Sequence, residues 1–127
     1  MAEISVPDSR DPSVRQHTMV FATRRLPHLT HEQFIRHYED VHAPLARQLP
    51  GLVEYRQMPV RSDYQWHGQR ASYDAISVYV FESDEAASSA WASPQGVELD
   101  EDTGRFMDWE DILAFPGFET RVSYPAP

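Results

Sequence analysis

Residues 30–49 read Thr30-His31-Glu32-Gln33-Phe34-Ile35-Arg36-His37-Tyr38-Glu39-Asp40-Val41-His42-Ala43-Pro44-Leu45-Ala46-Arg47-Gln48-Leu49, and their spacing is helical. Thr30 and Gln33 stand as N-cap and N3 of a capping box, where hydroxyl and amide satisfy the first free N–H groups. Phe34, Tyr38, Val41, Leu45 and Leu49 then recur at steps of four, three, four and four. That places them in one apolar stripe along a helix. Pro44 interrupts it: it has no N–H, and its ring crowds the carbonyl of Asp40. Ala43, just before the proline, is pushed away from helical angles. The expectation is a kink or break, with His42 at the disturbed point.

Upstream, Thr18, Met19, Val20, Phe21 and Thr23 make His17–Thr23 a strand. Leu26-Pro27-His28-Leu29 breaks it before the helix. Downstream, Leu49-Pro50-Gly51 is a turn. Leu52–Val60 is a second strand with Val53, Tyr55 and Gln57 on one face, and Pro59 puts its end or a sheet edge there. Residues 61–74 are a polar connection bearing Tyr64, Trp66, His67, Gly68 and Tyr73. Its length favours a functional, lid-like loop over a simple turn. Ala75–Phe81 is a third strand, with Ile76, Val78 and Val80 facing one way and Ser77, Tyr79 and Phe81 the other. Ser83 or Asp84 caps a short helix through Trp91. Ser93-Pro94 is an N-cap and N1 pair opening a second segment to about Met107. Its Glu98, Asp100, Glu101 and Asp102 read as a solvated face. A last strand lies between Asp111 and Tyr124, bent at Pro116-Gly117. Residues 1–15, with Pro7 and Pro12, read as a flexible arm, and 16–124 as a single domain.

The element order is βαββαβ. It implies an α+β architecture: a four-stranded sheet with both helices on one face. The other face is left partly apolar, and a second copy of the chain is the simplest cover. Two such sheets packed together make a barrel-like homodimer.

The whole chain has 127 residues, with 11 Lys+Arg against 20 Asp+Glu for a net charge of −9. This acidic balance, without clustered cations, argues against nucleic acid and against an anionic membrane surface. No apolar run approaches the roughly 20 residues of a membrane span. The first residues lack a basic segment followed by an apolar one, so they do not read as a secretion signal. The sequence contains no cysteine, which excludes disulfides and thiolate chemistry and fits a reducing, cytoplasmic setting.

Phe34-Ile35-Arg36-His37-Tyr38-Glu39-Asp40-Val41-His42-Ala43-Pro44-Leu45, followed by Leu49-Pro50-Gly51-Leu52-Val53-Glu54-Tyr55, resembles the signature of the EthD family. Tyr73-Asp74-Ala75-Ile76, Ser93-Pro94-Gln95-Gly96 and Asp102-Thr103-Gly104-Arg105-Phe106-Met107-Asp108 agree with it. The resemblance spans residues 17–122. It implies a ferredoxin-like dimeric α+β barrel with a small-molecule role. Related barrels include muconolactone isomerases, cyclases of aromatic polyketides, and fungal decarboxylases or dehydratases, which mostly work without a cofactor. The connection at 61–74 is more elaborate than the short, Gly-rich loop usual in the family, so the substrate does not carry over.

His42 is the first candidate for chemistry. It lies one turn after Tyr38 beside the apolar stripe, and a neutral imidazole there suits general acid/base work. Its structural alternative is a hydrogen bond to the carbonyl freed by Pro44. Asp74, where the long loop enters the third strand, orients His42 or takes a proton itself as a catalytic residue, or else closes a turn through nearby N–H groups. Tyr55, Tyr38 and Tyr73 either polarise a developing oxyanion or are amphipathic core residues. Trp66 and His67 either close over substrate or are exposed loop residues or dimer contacts. His31, His37 and His42 are spaced six and five apart, neither of which shares a helix face, so no metal site is expected. The expected function is a cofactor-independent isomerase, lyase (elimination or decarboxylation) or cyclase acting on a cyclic, aromatic or polyketide-like metabolite. Two alternatives stand beside it: a non-catalytic metabolite-binding or accessory protein, and a haem protein with one histidine as axial ligand.

Overall fold

The computed structural model describes residues 2–6, 8 and 10–126. In chain order its elements are β1 (Ala2–Ser5), β2 (His17–Thr23), α1 (His31–His37), a π-helical segment (Tyr38–His42), α2 (Ala43–Ala46), β3 (Leu52–Pro59), β4 (Ala75–Phe81), α3 (Asp84–Ala92), α4 (Pro94–Phe106), a 3₁₀ turn (Trp109–Asp111), β5 (Leu113–Gly117) and β6 (Arg121–Tyr124). The main sheet is antiparallel with strand order β3-β4-β2-β5. With the helices on one face, this is the α+β arrangement expected from the element order and the ferredoxin-like fold implied by the resemblance.

The caps form as their sequences dictate. The Thr30 hydroxyl accepts from the Gln33 N–H, and the Gln33 side chain accepts from the Thr30 N–H. Ser83 caps α3 and Ser93 caps α4, each accepting an N–H three residues on. Two expectations need correction at the first helix. Ala43 keeps helical angles, φ −59° and ψ −45°. The chain meets Pro44 by widening one turn instead of breaking, and the Ala43 N–H reaches back five residues to the Tyr38 carbonyl. That extra residue rephases the stripe. Phe34 and Tyr38 are fully buried and Leu49 nearly so, but Val41 turns out to 43 % exposure and His42 turns in at 3 %.

The sheet departs from the simple reading at two further places. A β-bulge between Leu52 and Glu54 takes Val53 out of register. Leu52 and Tyr55 pack against the core, while Val53 is exposed. The C-terminal segment is two strands, of which β5 pairs with β2 and β6 pairs with β1 as a separate ribbon. Residues 2–5, read as part of an arm without secondary structure, supply that ribbon's other strand.

The helix-covered face of the sheet carries Phe21, Tyr79 and Phe81, packed with Leu49, Ala87, Ala90 and Leu99. A second cluster joins Phe34, Tyr38, Ala75, Phe106 and Met107. On the opposite face the registers align Met58–Ile76–Ala22–Leu113 in one row and Arg56–Val78–Val20–Phe115 in the next. Met58, Leu113 and Phe115 are exposed there.

Candidate active site

The rephased turn aims His42 into a cavity of about 300 Å³ between sheet and helices. Met19, Phe21 and Thr23 of β2 and Ser77 and Tyr79 of β4 form its floor. Trp91 of α3 and Leu99, Asp100 and Thr103 of α4 form a wall, and Met107, Trp109 and Ile112 complete it. The lining is mostly aromatic and aliphatic with a few polar atoms, as in small-molecule sites.

The His42 ring is held from one side. Its Nδ1–H donates to Asp102 Oδ2 at 2.8 Å. Asp102 is completely buried. Its other oxygen accepts from His37 Nε2–H at 2.9 Å and from the Arg105 guanidinium at 3.2 Å. Burial alone would raise the Asp102 pKa, but the bonds from His42, His37 and Arg105 outweigh it and hold the carboxyl below its ordinary value. Asp102 is therefore an acceptor only, which puts the proton of neutral His42 on Nδ1 and leaves Nε2 with its lone pair. Among the described residues Nε2 has no hydrogen-bond partner, and it is the ring nitrogen left to the cavity. Burial, countered in part by Asp102, lowers the His42 pKa below 6.5, so the imidazole is neutral at pH 7. Phe106 packs on the ring at 4.9 Å and Tyr38 stacks at 6.3 Å. A neutral, oriented imidazole in an apolar cavity is equipped to remove a proton.

Asp74 is placed elsewhere. Its carboxylate accepts from the Arg25 backbone N–H at 2.8 Å, the Arg25 guanidinium at 2.7 Å and His31 Nδ1–H at 2.7 Å. Burial raises its pKa, and these donors together bring it below the usual carboxylate value. It ties the start of β4 to residues 25 and 31, so the carboxylate that orients His42 is Asp102, not Asp74. Asp102 had been read as part of a solvated face. The signal against that reading lay in the same helix: Leu99, Asp102, Thr103 and Phe106 fall at i, i+3, i+4 and i+7, and all are buried.

The tyrosines separate. Tyr38 donates its hydroxyl proton to the Ile76 carbonyl at 3.1 Å and lies 2.6 Å from Ser77 Oγ. Its carbonyl accepts from Gln57 at 2.7 Å, which helps satisfy the widened turn. Burial pushes the Tyr38 phenol up. Tyr55 accepts from Gln57 at 2.8 Å and packs on Tyr79 at 4.8 Å, beyond the cavity lining. Tyr73 lies under the Arg24 guanidinium at 4.4 Å. Trp66, 67 % exposed, borders a separate shallow groove with Met58, Tyr64 and Arg70, and His67 packs edge-on against it at 4.3 Å. Within one chain the 61–74 loop does not line the His42 cavity. The aromatic lining comes instead from Phe21, Tyr79, Trp91 and Trp109, none of which was singled out from sequence.

Comparison with known proteins places this geometry. An ethyl tert-butyl ether degradation (EthD) family protein of Bacillus halodurans superposes with a TM-score of 0.68 at 19 % identity, over 82 % of this chain and 99 % of that one. The hydroxynitrile lyase of Passiflora edulis matches with a TM-score of 0.62 at 17 % identity, over 91 % of this chain and 100 % of that one. A dimeric ferredoxin-like protein of unknown function from Thermobifida fusca matches with a TM-score of 0.62 at 14 % identity, over 84 % and 92 %. At these identities the likeness is one of fold. No curated protein matches the chain. The EthD domain model matches residues 26–110, more than half of the sequence, and the chain belongs to the EthD family.

Proposed function

We propose that the protein is a small-molecule enzyme in which His42 acts as general base, and in its protonated form as general acid, with Asp102 fixing its tautomer and orientation. The observation that carries this reading is the 2.8 Å bond from a 3 % exposed imidazole to a fully buried carboxylate, at the wall of an apolar cavity. A binding module has no need of that arrangement. Burying a carboxylate is costly unless donors surround it, and here three do. The chain has neither cysteine nor lysine, which leaves thiolate and lysine Schiff-base routes without a side chain and favours proton transfer. Isomerisation, elimination and cyclisation all begin with the step this site is built for. The hydroxynitrile lyase sharing the fold is a lyase by name, in keeping with this class. A haem group would use a similarly oriented histidine, but the cavity of about 300 Å³ lies at the lower end of ligand pockets, which favours a smaller ligand.

The protein acts as a homodimer in this reading. The apolar rows on the open sheet face support it, as does the dimeric protein of the same fold. The cytoplasmic setting rests on the cysteine-free composition.

A substrate-independent test is the base-promoted elimination of 5-nitrobenzisoxazole, in which removal of the C–H proton breaks the N–O bond and releases a coloured phenolate. The wild type accelerates this reaction, with an acid limb below pH 6.5, because burial lowers the His42 pKa from that value. His42→Gln loses roughly 10²-fold or more of the rate, the ordinary contribution of a positioned base. An unchanged rate in His42→Gln would remove the proposal.

A further inference from the structure

Apart from two indole N–H groups, the polar side chains lining the cavity share one property: their hydrogens are already committed. Thr103 donates its hydroxyl to the Leu99 carbonyl at 3.0 Å, and Thr23 donates to the Ala75 carbonyl at 3.4 Å. The Tyr38 hydroxyl uses its one hydrogen on the Ile76 carbonyl, so Ser77 donates to Tyr38 at 2.6 Å. His42 spends its Nδ1–H on Asp102. Each of these groups therefore offers lone pairs to whatever fills the space. Asp100, on the same wall and exposed, adds a carboxylate, and solvent keeps it ionised at neutral pH although partial burial raises its pKa. Among the described residues that line the cavity there is no arginine. The Tyr79 hydroxyl hydrogen-bonds to Tyr55, and the donors that remain are the indole N–H groups of Trp91 and Trp109, for which no hydrogen bond is found among the described residues.

Such a lining discriminates by charge and by hydrogen-bond direction. A carboxylate entering it loses its hydration, meets lone pairs at every polar group but the two indole N–H donors, and sits near Asp100 with no arginine among the described lining residues to offset either cost. A hydroxyl or an activated C–H meets acceptors, and the foremost is the base itself.

We propose that this cavity selects uncharged hydrogen-bond donors on a flat apolar frame, such as phenols, enols or alcohols, and rejects carboxylates, with Asp100 as a specificity-determining residue. The inference deepens the acid/base reading and rests on it. It also narrows the reaction: decarboxylation needs a bound carboxylate and drops out, while elimination, isomerisation and cyclisation of a neutral substrate remain. If a carboxyl group is present in the precursor, an earlier step must remove or mask it.

The experiment follows the three indole N–H resonances in a ¹H–¹⁵N spectrum while phenol, anisole or benzoate is titrated in at pH 7.5 and low salt. Trp91 and Trp109 line the cavity, and Trp66 lies in the other groove as an internal control. Phenol shifts Trp91 and Trp109 but not Trp66. Anisole, equal in charge but without a proton to donate, binds several-fold more weakly. Benzoate binds about tenfold more weakly than phenol or worse. Asp100→Asn improves benzoate several-fold relative to phenol. Benzoate saturating the two indoles at the concentration of phenol overturns the proposal. So does a phenol-to-benzoate ratio indifferent to Asp100→Asn, or the absence of any shift at Trp91 and Trp109. Failure of the general-base reading shows elsewhere, as unchanged elimination by His42→Gln.

Discussion

One carboxylate organises the chemistry of this protein. Asp102 collects bonds from His42, His37 and Arg105, and each donor has a separate consequence. His42 gains a fixed tautomer. His37 and Arg105 keep Asp102 ionised in a place where burial alone would neutralise it. The folded protein holds both partners of the central pair below their ordinary values: His42 below 6.5 and Asp102 below 3.8. The pH dependence of stability follows from linkage. The unfolded chain binds protons more readily than the folded one at both groups, so stability is present in full above pH 6.5 and falls as acid is added. It falls first as His42 is forced to charge while buried, then below pH 3.8 as Asp102 is protonated. The urea midpoint of the wild type is expected to decrease steadily from pH 7 to 4. In His42→Gln the part of that decrease beginning near pH 6.5 is expected to flatten. A His42→Gln curve parallel to wild type across this range would show that the imidazole is not desolvated in solution.

At the scale of elements, two local devices set the site. The first is the widened turn Tyr38–His42. An uninterrupted α-helix would leave Val41 on the stripe beside Tyr38, whereas the five-residue turn gives the inward position to His42. Pro44 is its sequence cause, because an absent N–H at that position cannot close the ordinary turn. The second device is the close junction of α3 and α4, which brings Trp91 and Leu99 onto the same cavity wall. Gly96 sits where a Cβ would come within 2.3 Å of the Ala90 carbonyl oxygen and 2.5 Å of the Trp91 carbonyl oxygen. Both are backbone atoms and cannot yield cheaply. Gly96→Ala is therefore expected to destabilise the fold by about 1–3 kcal/mol, the usual cost of overpacking, measured as a lower urea midpoint at unchanged m-value. Unaltered stability would mean that the two helices separate freely. Gly51 serves the turn into β3 in a different way, with φ +74°, a conformation side-chain-bearing residues avoid.

At the scale of the whole molecule, the sheet divides the chain into two functions. Its covered face builds the cavity, and its open face carries the interface of the homodimer proposed above. Phe115 stands in the row Arg56–Val78–Val20–Phe115 and is 55 % exposed in the single chain. Phe115→Arg is expected to convert the homodimer to a monomer, read by light scattering coupled to size exclusion. The charge would have to be buried without a partner in any sheet-to-sheet contact. A variant that keeps the dimeric mass would place the interface elsewhere.

How much of this was legible beforehand depends on the range of the interaction. The capping box at Thr30, the caps at Ser83 and Ser93, the alternation in β4 and the βαββαβ order of the main sheet are all local, set by a few neighbouring residues, and they stand in the structure as written in the chain, whereas the bulge at Val53 interrupts the period of β3. His42 could be singled out because Pro44 is two positions away. The partner of His42 is sixty residues distant, and nothing in the spacing joined them. Asp102 looked like one member of an acidic, solvated face until its apolar neighbours at i−3, i+1 and i+4 are counted with it. Asp74, a plausible partner by its place at a strand entrance, was claimed by Arg25 and His31. The aromatic lining and the acceptor-rich character of the cavity arise where β2, β4, α3 and α4 meet. Sequence alone determined which elements form and where the first helix is disturbed, because backbone hydrogen bonding is decided within a turn or two. Only the tertiary structure decided which carboxylate orients the histidine and which hydrogens remain free to meet a ligand, because both depend on groups brought together from opposite ends of the chain.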